Sequence, residues 1–370
     1  MCATLSGSAA AQRFANLRCM RIAQVSPLAE SVPPKLYGGT ERIVSYLTEE
    51  LVRQGHEVTL FASGDSTTSA RLHSVVDTAL RFDARIKDPH VFNLLQLDAV
   101  RERAREFDVI HFHTEYLHFP LVRELGLRNT LTTLHGRLDL PGYAEVFAEH
   151  GEVPVVSISN DQRKPLPHAN WQGTVHHGLP RDVCSFESGP RDDYLAFLGR
   201  ISPEKRADRA IEIARRAGMK LRIAAKVDAA DREYFEAEIE HLLAQPHVEY
   251  VGEIGERDKC GFLGQARALL FPIDWPEPFG LVMIEAMSCG TPCVAWRAGS
   301  VPEIIREGEN GFIVDSIEDA VAAVRRIDTL DRARVRASFE QRFVVERMTR
   351  DYLDIYRRLS MRRAGEAVAA

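Results

Sequence analysis

Short apolar runs alternate with stretches of helical period along nearly the whole chain, the pattern of parallel strands covered by helices on both faces. In the first half the runs fall at residues 21–25, 57–62, 108–113, 130–134 and 154–158. Between the first two, Ile43, Val44, Leu47 and Leu51 make one apolar stripe, with Thr40 placed to cap the helix and Gly55 to end it. A Ser/Gly/Pro/Arg/Asp stretch around Gly189 and Pro190 interrupts the rhythm. It restarts at 194–198 and continues through 221–225, 248–251, 269–273, 292–295 and 311–314, with helices at 232–243 and 281–288. From about Asp331 the chain is charged and helical in period, and Val335, Phe339, Phe343, Val344, Met348, Tyr352 and Tyr356 supply its apolar contacts.

The fold this predicts is α/β: two doubly wound, Rossmann-like parallel-sheet domains facing each other across a cleft. Its parts are a loose tail over 1–19, a first domain over 20–188, a second over 189–345, and a helix over 346–370 packing back across both. A length of 370 residues suits two domains. So does a composition 45% hydrophobic and 27% charged, which is globular rather than fibrous or disordered.

A net charge of −6 argues against a nucleic-acid partner, so any anion must be met by a few placed cations. The six cysteines are scattered and form no CxxC pair, and the first 18 residues carry no apolar core of a secretory leader. Free thiols in a cytoplasmic protein are therefore expected rather than disulfides, with Cys289 and Cys293 as buried packing residues. No run approaches the roughly 18 apolar residues a spanning helix needs. Membrane contact is at most peripheral, through Arg357, Arg358, Arg362 and Arg363, and a solvated helix end is the simpler reading of these residues.

The densest chemistry lies between Asp274 and Met287, where Glu277 and Glu285 are separated by seven intervening residues. Glu277 sits in a Pro-rich loop, and Phe279, Gly280 and Leu281 open a helix whose free amides and positive dipole end suit a pyrophosphate. Glu285, about a turn further on, is placed to accept hydrogen bonds from two ribose hydroxyls. At the first strand-to-helix turn of the same domain, Gly199 permits close backbone approach while Arg200 and Lys205 bring two cations together. Cations that hold a departing diphosphate more strongly in the transition state lower the barrier. Tyr37-Gly38-Gly39-Thr40 places two glycines before the first helix, which is also ordinary turn chemistry. His135 follows a strand, where a histidine is commonly just a satisfied polar group.

Together these residues resemble glycosyltransferase family 4, the retaining nucleotide-sugar transferases of the GT-B fold, from Arg21 to about Tyr356. The resemblance implies that Arg200 and Lys205 hold the donor diphosphate, aided by amides of Phe279, Gly280 and Leu281 and by the Gly38–Gly39 turn beside Gly199. It implies that Glu285 binds the ribose, that Glu277 sits by the transferred sugar, and that His135 touches the sugar from the opposite domain. Gly252 and Ile254, with Val251 and Glu253, would wall the base. It also implies retention by front-face displacement with no bound metal and no cofactor; consistent with that, the chain has no Asp-x-Asp motif. Where the family often has Asn-Gly, this chain has His177-Gly178.

Other readings stay open at this point. His111, His113, Glu115 and His118 crowd one strand end densely enough to imagine zinc, although lining a cleft suits them better. A nicotinamide oxidoreductase lacks its Gly-x-Gly-x-x-Gly. A nucleotide-sugar epimerase or other non-transferase of the same fold remains the alternative, alongside a sugar phosphorylase and a non-catalytic binding subunit. The acceptor, whether glycan, lipid or small metabolite, would meet the loops at 27–36 and 139–150. The segment 160–171, with Arg163, His168 and Trp171, either lines that side or is a packed connection.

Overall fold

The computed structural model describes residues 19–35, 38–186, 188 and 192–369, with side chains through residue 360. The tail before Cys19, the boundary at Gly189–Pro190, and Leu36 and Tyr37 lie outside the described residues.

Two parallel sheets form the frame. The first holds seven strands, β1 (Arg21–Val25), β2 (Glu57–Phe61), β3 (Arg71–His73), β4 (Val109–Phe112), β5 (Thr130–Thr133), β6 (Val155–Ser157) and β7 (Trp171–Thr174), in the order β3-β2-β1-β4-β5-β6-β7. The second holds β8 (Tyr194–Arg200), β9 (Lys220–Lys226), β10 (Val248–Gly252), β11 (Ala268–Phe271), β12 (Cys293–Trp296) and β13 (Gly311–Val314), in the order β10-β9-β8-β11-β12-β13. Strand order reverses at β1 and at β8, and the crevice beyond the carboxyl ends at such switch points is where open α/β sheets receive ligands.

Every apolar run predicted from the sequence is a strand. β3 and β7 were not predicted, because RLH and WQGT are short, polar and only partly buried at the sheet edges. Helix α1 (Gly39–Arg53) begins one residue before Thr40, which therefore lies inside the first turn and caps nothing. Gly55 does end it: at φ +87° its amide reaches the Val52 carbonyl at 2.9 Å, and His56 closes on Leu51 at 3.1 Å. The helix expected at 232–243 is present but carries a π turn over Phe235–Ile239. Segment 160–171 is a packed connection: Arg163 lies 5.2 Å over the Trp171 ring, whose indole N–H donates to the Leu166 carbonyl.

The C-terminal segment joins the domains. Helices α2 (Arg332–Arg342) and α3 (Val345–Ala369), with the two residues between them, carry Val335, Phe339, Phe343, Val344, Met348, Tyr352 and Tyr356, all buried in one apolar cluster with Ile22, Leu47 and Val109 of the first domain and Met283 and Ile284 of the second. Gly178 lets this segment cross, because a Cβ there would fall 2.7 Å from the Val344 carbonyl carbon. No described helix is long and apolar enough to cross a membrane.

Cys184 and Cys260, 76 residues apart with Cα atoms 5.3 Å from each other, form a disulfide, so the expectation of free thiols fails for this pair. Chain separation hid it, since only the packed linker brings Cys184 onto the helix bearing Cys260. Cys289 and Cys293 are free and buried as expected. Between the domains, Glu303 accepts hydrogen bonds from the Asn160 amide at 2.9 Å and the Asp161 amide at 2.8 Å, and pairs with His176 at 3.0 Å.

Burial would raise the Glu303 carboxyl, but His176 and these amides outweigh it and hold the pKa at about 2. A carboxyl depressed on folding adds stability above its unfolded pKa, and that stability is lost as pH falls through the folded value. Glu303→Ala should cost roughly 2–3 kcal/mol at neutral pH and flatten the fall in thermal midpoint between about pH 5 and pH 2, measured by calorimetry.

Candidate active site

The cleft encloses about 500 Å³ and is lined from both domains. Helix α4 (Leu281–Ser288) starts at its floor. Gly280 makes the turn into it at φ +78°, where a Cβ would also press on Met283 Cε at 2.7 Å and Phe271 Cζ at 3.1 Å. The first amides of α4 have no carbonyl a turn earlier to bond within the helix. The start of α1 meets it from the other domain: a Cβ on Gly39 would lie 3.4 Å from Leu281 Cδ1, and one on Gly38 would strike Pro34 Cβ at 2.7 Å. Two helix N-termini thus bring positive potential to one place.

Lys205 is ion-paired with Glu277, whose carboxylate also accepts from the Trp275 indole at 3.1 Å. The ammonium sits 5.0 Å from the centre of the Trp275 ring. The Glu277 loop is fastened from behind: Ser300 donates its amide to the Glu277 carbonyl at 3.0 Å and its hydroxyl to the Phe279 carbonyl at 2.7 Å. Gly299, at φ +52°, leaves no room for a Cβ against the Glu277 backbone.

Arg200, at the end of β8, lies among carboxylates, 3.4 Å from Asp231, 3.6 Å from Asp228 and 3.9 Å from Glu204. Its register partner on β9 is Lys226, which pairs with Asp228 at 2.8 Å. Arg81 reaches the same cavity from the first domain, held by Glu30 at 2.5 Å. Lys226 and Arg81 were missed in the sequence. Aligning the ends of β8 and β9 would have found Lys226, whereas Arg81 sits in a short 3-10 turn, Leu80–Phe82, that carries no motif.

Glu285 is buried and 3.1 Å from Lys259, which is 3.2 Å from Glu256, the partner of Arg42 on α1. An ionic chain therefore links α1 to Glu285 across the domains. His135 is held by its amide on Glu115 at 3.1 Å, and the flanking carbonyls of Leu134 and Gly136 both accept from Gln162. Burial pulls its imidazole down to about pKa 3, so it is neutral. His177 stacks on it at 5.4 Å and meets Phe279 edge-on at 4.8 Å.

Of the predicted site residues, Gly38, Gly39, His135, Gly199, Arg200, Lys205, Ile254, Glu277, Phe279, Gly280, Leu281 and Glu285 all line this cavity. Gly252 does not; at φ +80° it ends β10 and turns the chain toward Glu253 and Ile254, which do. Among the described residues no group of three or more His, Cys, Asp or Glu is arranged to hold a metal. The histidines at the strand ends bond instead to one another and to Gln, Thr and Tyr side chains. A smaller cavity of about 350 Å³ lies behind the Glu277 loop, lined among others by Arg137, Asp139, Asp161 and Lys164.

Sequence families agree with this geometry. The family model "Glycosyl transferases group 1" matches residues 185–341, and "Glycosyltransferase Family 4" matches residues 37–159. The chain is 34% identical over 342 residues to a GDP-mannose-dependent alpha-(1-6)-phosphatidylinositol dimannoside mannosyltransferase of Mycobacterium tuberculosis, covering 83% of this chain and 87% of that one. It is 24% identical to the N-acetyl-alpha-D-glucosaminyl L-malate synthase of Bacillus anthracis, over 86% and 93% of the two chains. Among solved structures, sucrose-phosphate synthase from Thermosynechococcus elongatus superposes with a TM-score of 0.73 at 20% identity, over 92% of this chain and 99% of that one. Anabaena HepE in complex with UDP and glucose gives 0.70 at 17% identity, over 90% and 98%.

The two glycines should part company on substitution. Gly280→Ala should lower stability by roughly 2 kcal/mol or more, since it combines a left-handed backbone with a clash. Gly199→Ala should leave the denaturation midpoint within about 0.5 kcal/mol, because a Cβ there meets nothing within 4 Å. Equal losses in urea titrations would contradict the local packing described here.

Proposed function

The chain belongs to glycosyltransferase family 4, and on that footing we propose that it moves a hexose-type sugar from a nucleoside-diphosphate sugar to an acceptor hydroxyl, retaining the anomeric configuration without a resident metal ion. The observation that carries this is the convergence of Arg200, Lys205, Lys226 and two helix N-termini on one cavity that also holds Glu277 and Glu285. Its volume is that of a small-molecule site. The related proteins lend support: the mannosyltransferase is named as GDP-mannose-dependent, and HepE was crystallised with UDP-glucose.

The carboxylate partners give the reaction its order. A diphosphate entering the cleft competes with Glu204, Asp228 and Asp231 for Arg200, and with Glu277 for Lys205. Charge-assisted pairing to phosphate replaces pairing to carboxylate. Glu277 is released in the same exchange and becomes free to accept from a sugar hydroxyl. Glu285 takes the ribose hydroxyls, and Ile254 and Glu253 border the base. As the bond from the anomeric carbon to the β-phosphate oxygen breaks, negative charge grows on that phosphate. Fixed cations and amides stabilise it there, which is what a divalent ion does in other transferases. The acceptor hydroxyl attacks from the same face and passes its proton to the departing phosphate oxygen, so no side chain forms a bond to the sugar.

Lys205→Ala and Glu285→Ala should each lower kcat/KM by at least about 100-fold while changing stability by about 1 kcal/mol, and Glu277→Ala should act chiefly on kcat. Release of nucleoside diphosphate should be insensitive to EDTA, and the product's anomeric proton coupling should match the donor's. An inverted product, or activity lost with EDTA, would overturn retention or metal independence respectively.

A further inference from the structure

The histidines at the ends of β4 and β5 belong to one buried hydrogen-bond chain that finishes on His135. His113 Nδ1 lies 2.9 Å from His135 Nε2, and His113 Nε2 lies 2.9 Å from Gln24 Oε1 on β1. The Gln24 amide nitrogen donates to the Tyr356 hydroxyl at 3.0 Å. That hydroxyl is 2.7 Å from His111 Nδ1; His111 Nε2 is 2.7 Å from Thr133 Oγ1, which is 2.9 Å from the Tyr352 hydroxyl. Both tyrosines come from α3, so the C-terminal helix closes a network that opens into the cleft.

The chain has a direction. A carbonyl oxygen only accepts, so His113 donates from Nε2 to Gln24 and, being neutral, keeps its lone pair on Nδ1. His135 must then donate from Nε2, which leaves its own lone pair on Nδ1. One amide orientation on β1 therefore sets the tautomers of two histidines, His113 and His135. Burial favours the neutral forms throughout: His111 and His113 are held well below the usual histidine range, His111 also facing His135 and His118, and His113 facing His111, His135 and His177. Glu115 lies beside this group, its Oε1 accepting from the His135 and Gly136 amides, and Asp351 lies near Tyr352.

We propose that His113, fixed by Gln24 and by Tyr356 of the C-terminal helix, is the positioning residue that locks His135 as its Nε2–H tautomer. His135 then offers the cleft a hydrogen-bond acceptor at Nδ1 and no second N–H. This rests on the glycosyltransferase reading and deepens it: the group that meets His135 is a donor, such as a hydroxyl of the transferred sugar, and a carbonyl or carboxylate in that place is disfavoured. The network ends on buried Tyr352, so it orients and does not conduct protons to solvent.

The test compares His113→Leu, His113→Asn and, as a control, His118→Leu in the full chain. His118 is equally buried but bonds to Thr132, outside the network. His113→Leu should lower kcat by roughly 30-fold or more while the affinity for nucleoside diphosphate alone stays within about 2-fold, since misorientation costs turnover before it costs binding. His113→Asn, whose amide oxygen can take the place of Nδ1, should recover activity to within about 5-fold of the parent. His118→Leu should lower the melting temperature and leave kcat within about 2-fold. Equal losses for the leucine and asparagine variants, or activity following melting temperature across all three, would overturn the proposal. Nitrogen chemical shifts of selectively labelled parent protein give an arm that needs neither activity nor a folded variant. His135 protonated on Nε2 near pH 7 supports the proposal even if no transfer is found, in which case the transferase reading fails by itself, whereas His135 protonated on Nδ1 refutes it.

Discussion

Lys205 and Glu277 face each other on the cleft floor, and much of the molecule is arranged so that a ligand can part them. Under the proposed function, an acidic chain that is to receive a diphosphate must keep the cations of its cleft in place without spending them. Here the cations are paired with carboxylates that have another role or an aqueous alternative: Glu277 on Lys205, Asp228 and Asp231 around Arg200. Each pair prevents like-charge repulsion in the empty cleft and costs little to break where water can reach. The backbone behind Glu277, pinned by Ser300 and shaped by Gly299, keeps the carboxylate at the floor when its partner changes.

That exchange needs both domains at fixed positions, and three contacts supply this. Glu303 gathers Asn160, Asp161 and His176; Arg42 reaches Glu285 by way of Glu256 and Lys259; and α3 buries Tyr352 and Tyr356 against β1, β4 and β5. The first is a mechanical tie. The second runs directly into Glu285, the residue proposed to take the ribose, and so ties that residue to α1 by shared charge. The third sets the orientation of His135 from the far end of the chain.

Much of this was legible in the sequence. Buried parallel strands read as continuous apolar runs, and Leu281–Ser288 is a helix at the predicted bounds because Gly280 and the apolar residues after it leave no other solution. Glu277, Glu285, Arg200 and Lys205 were visible because they sit on local motifs. What escaped depended on tertiary register. Lys226 matters only because β9 lies beside β8; Cys184 meets Cys260 only after the linker packs; β3 and β7 are polar because they form edges. His111 and His113 stood out as a cluster, yet their meaning lay in Gln24 and Tyr356, which no local pattern connects to them. Of the loop expected to wall the base, Glu253 and Ile254 line the cavity, while Gly252 makes the turn that brings them there.

The most direct test of the central claim is titration calorimetry of the chain with UDP, GDP and ADP and their monophosphates, in the presence of EDTA. Carboxylates yielding to phosphate on Arg200 and Lys205 predict that one diphosphate binds selectively, that its affinity is unchanged by EDTA, and that its monophosphate binds at least about 10-fold more weakly. Equal affinity for the monophosphate and diphosphate, or binding of none of the three diphosphates, would contradict it.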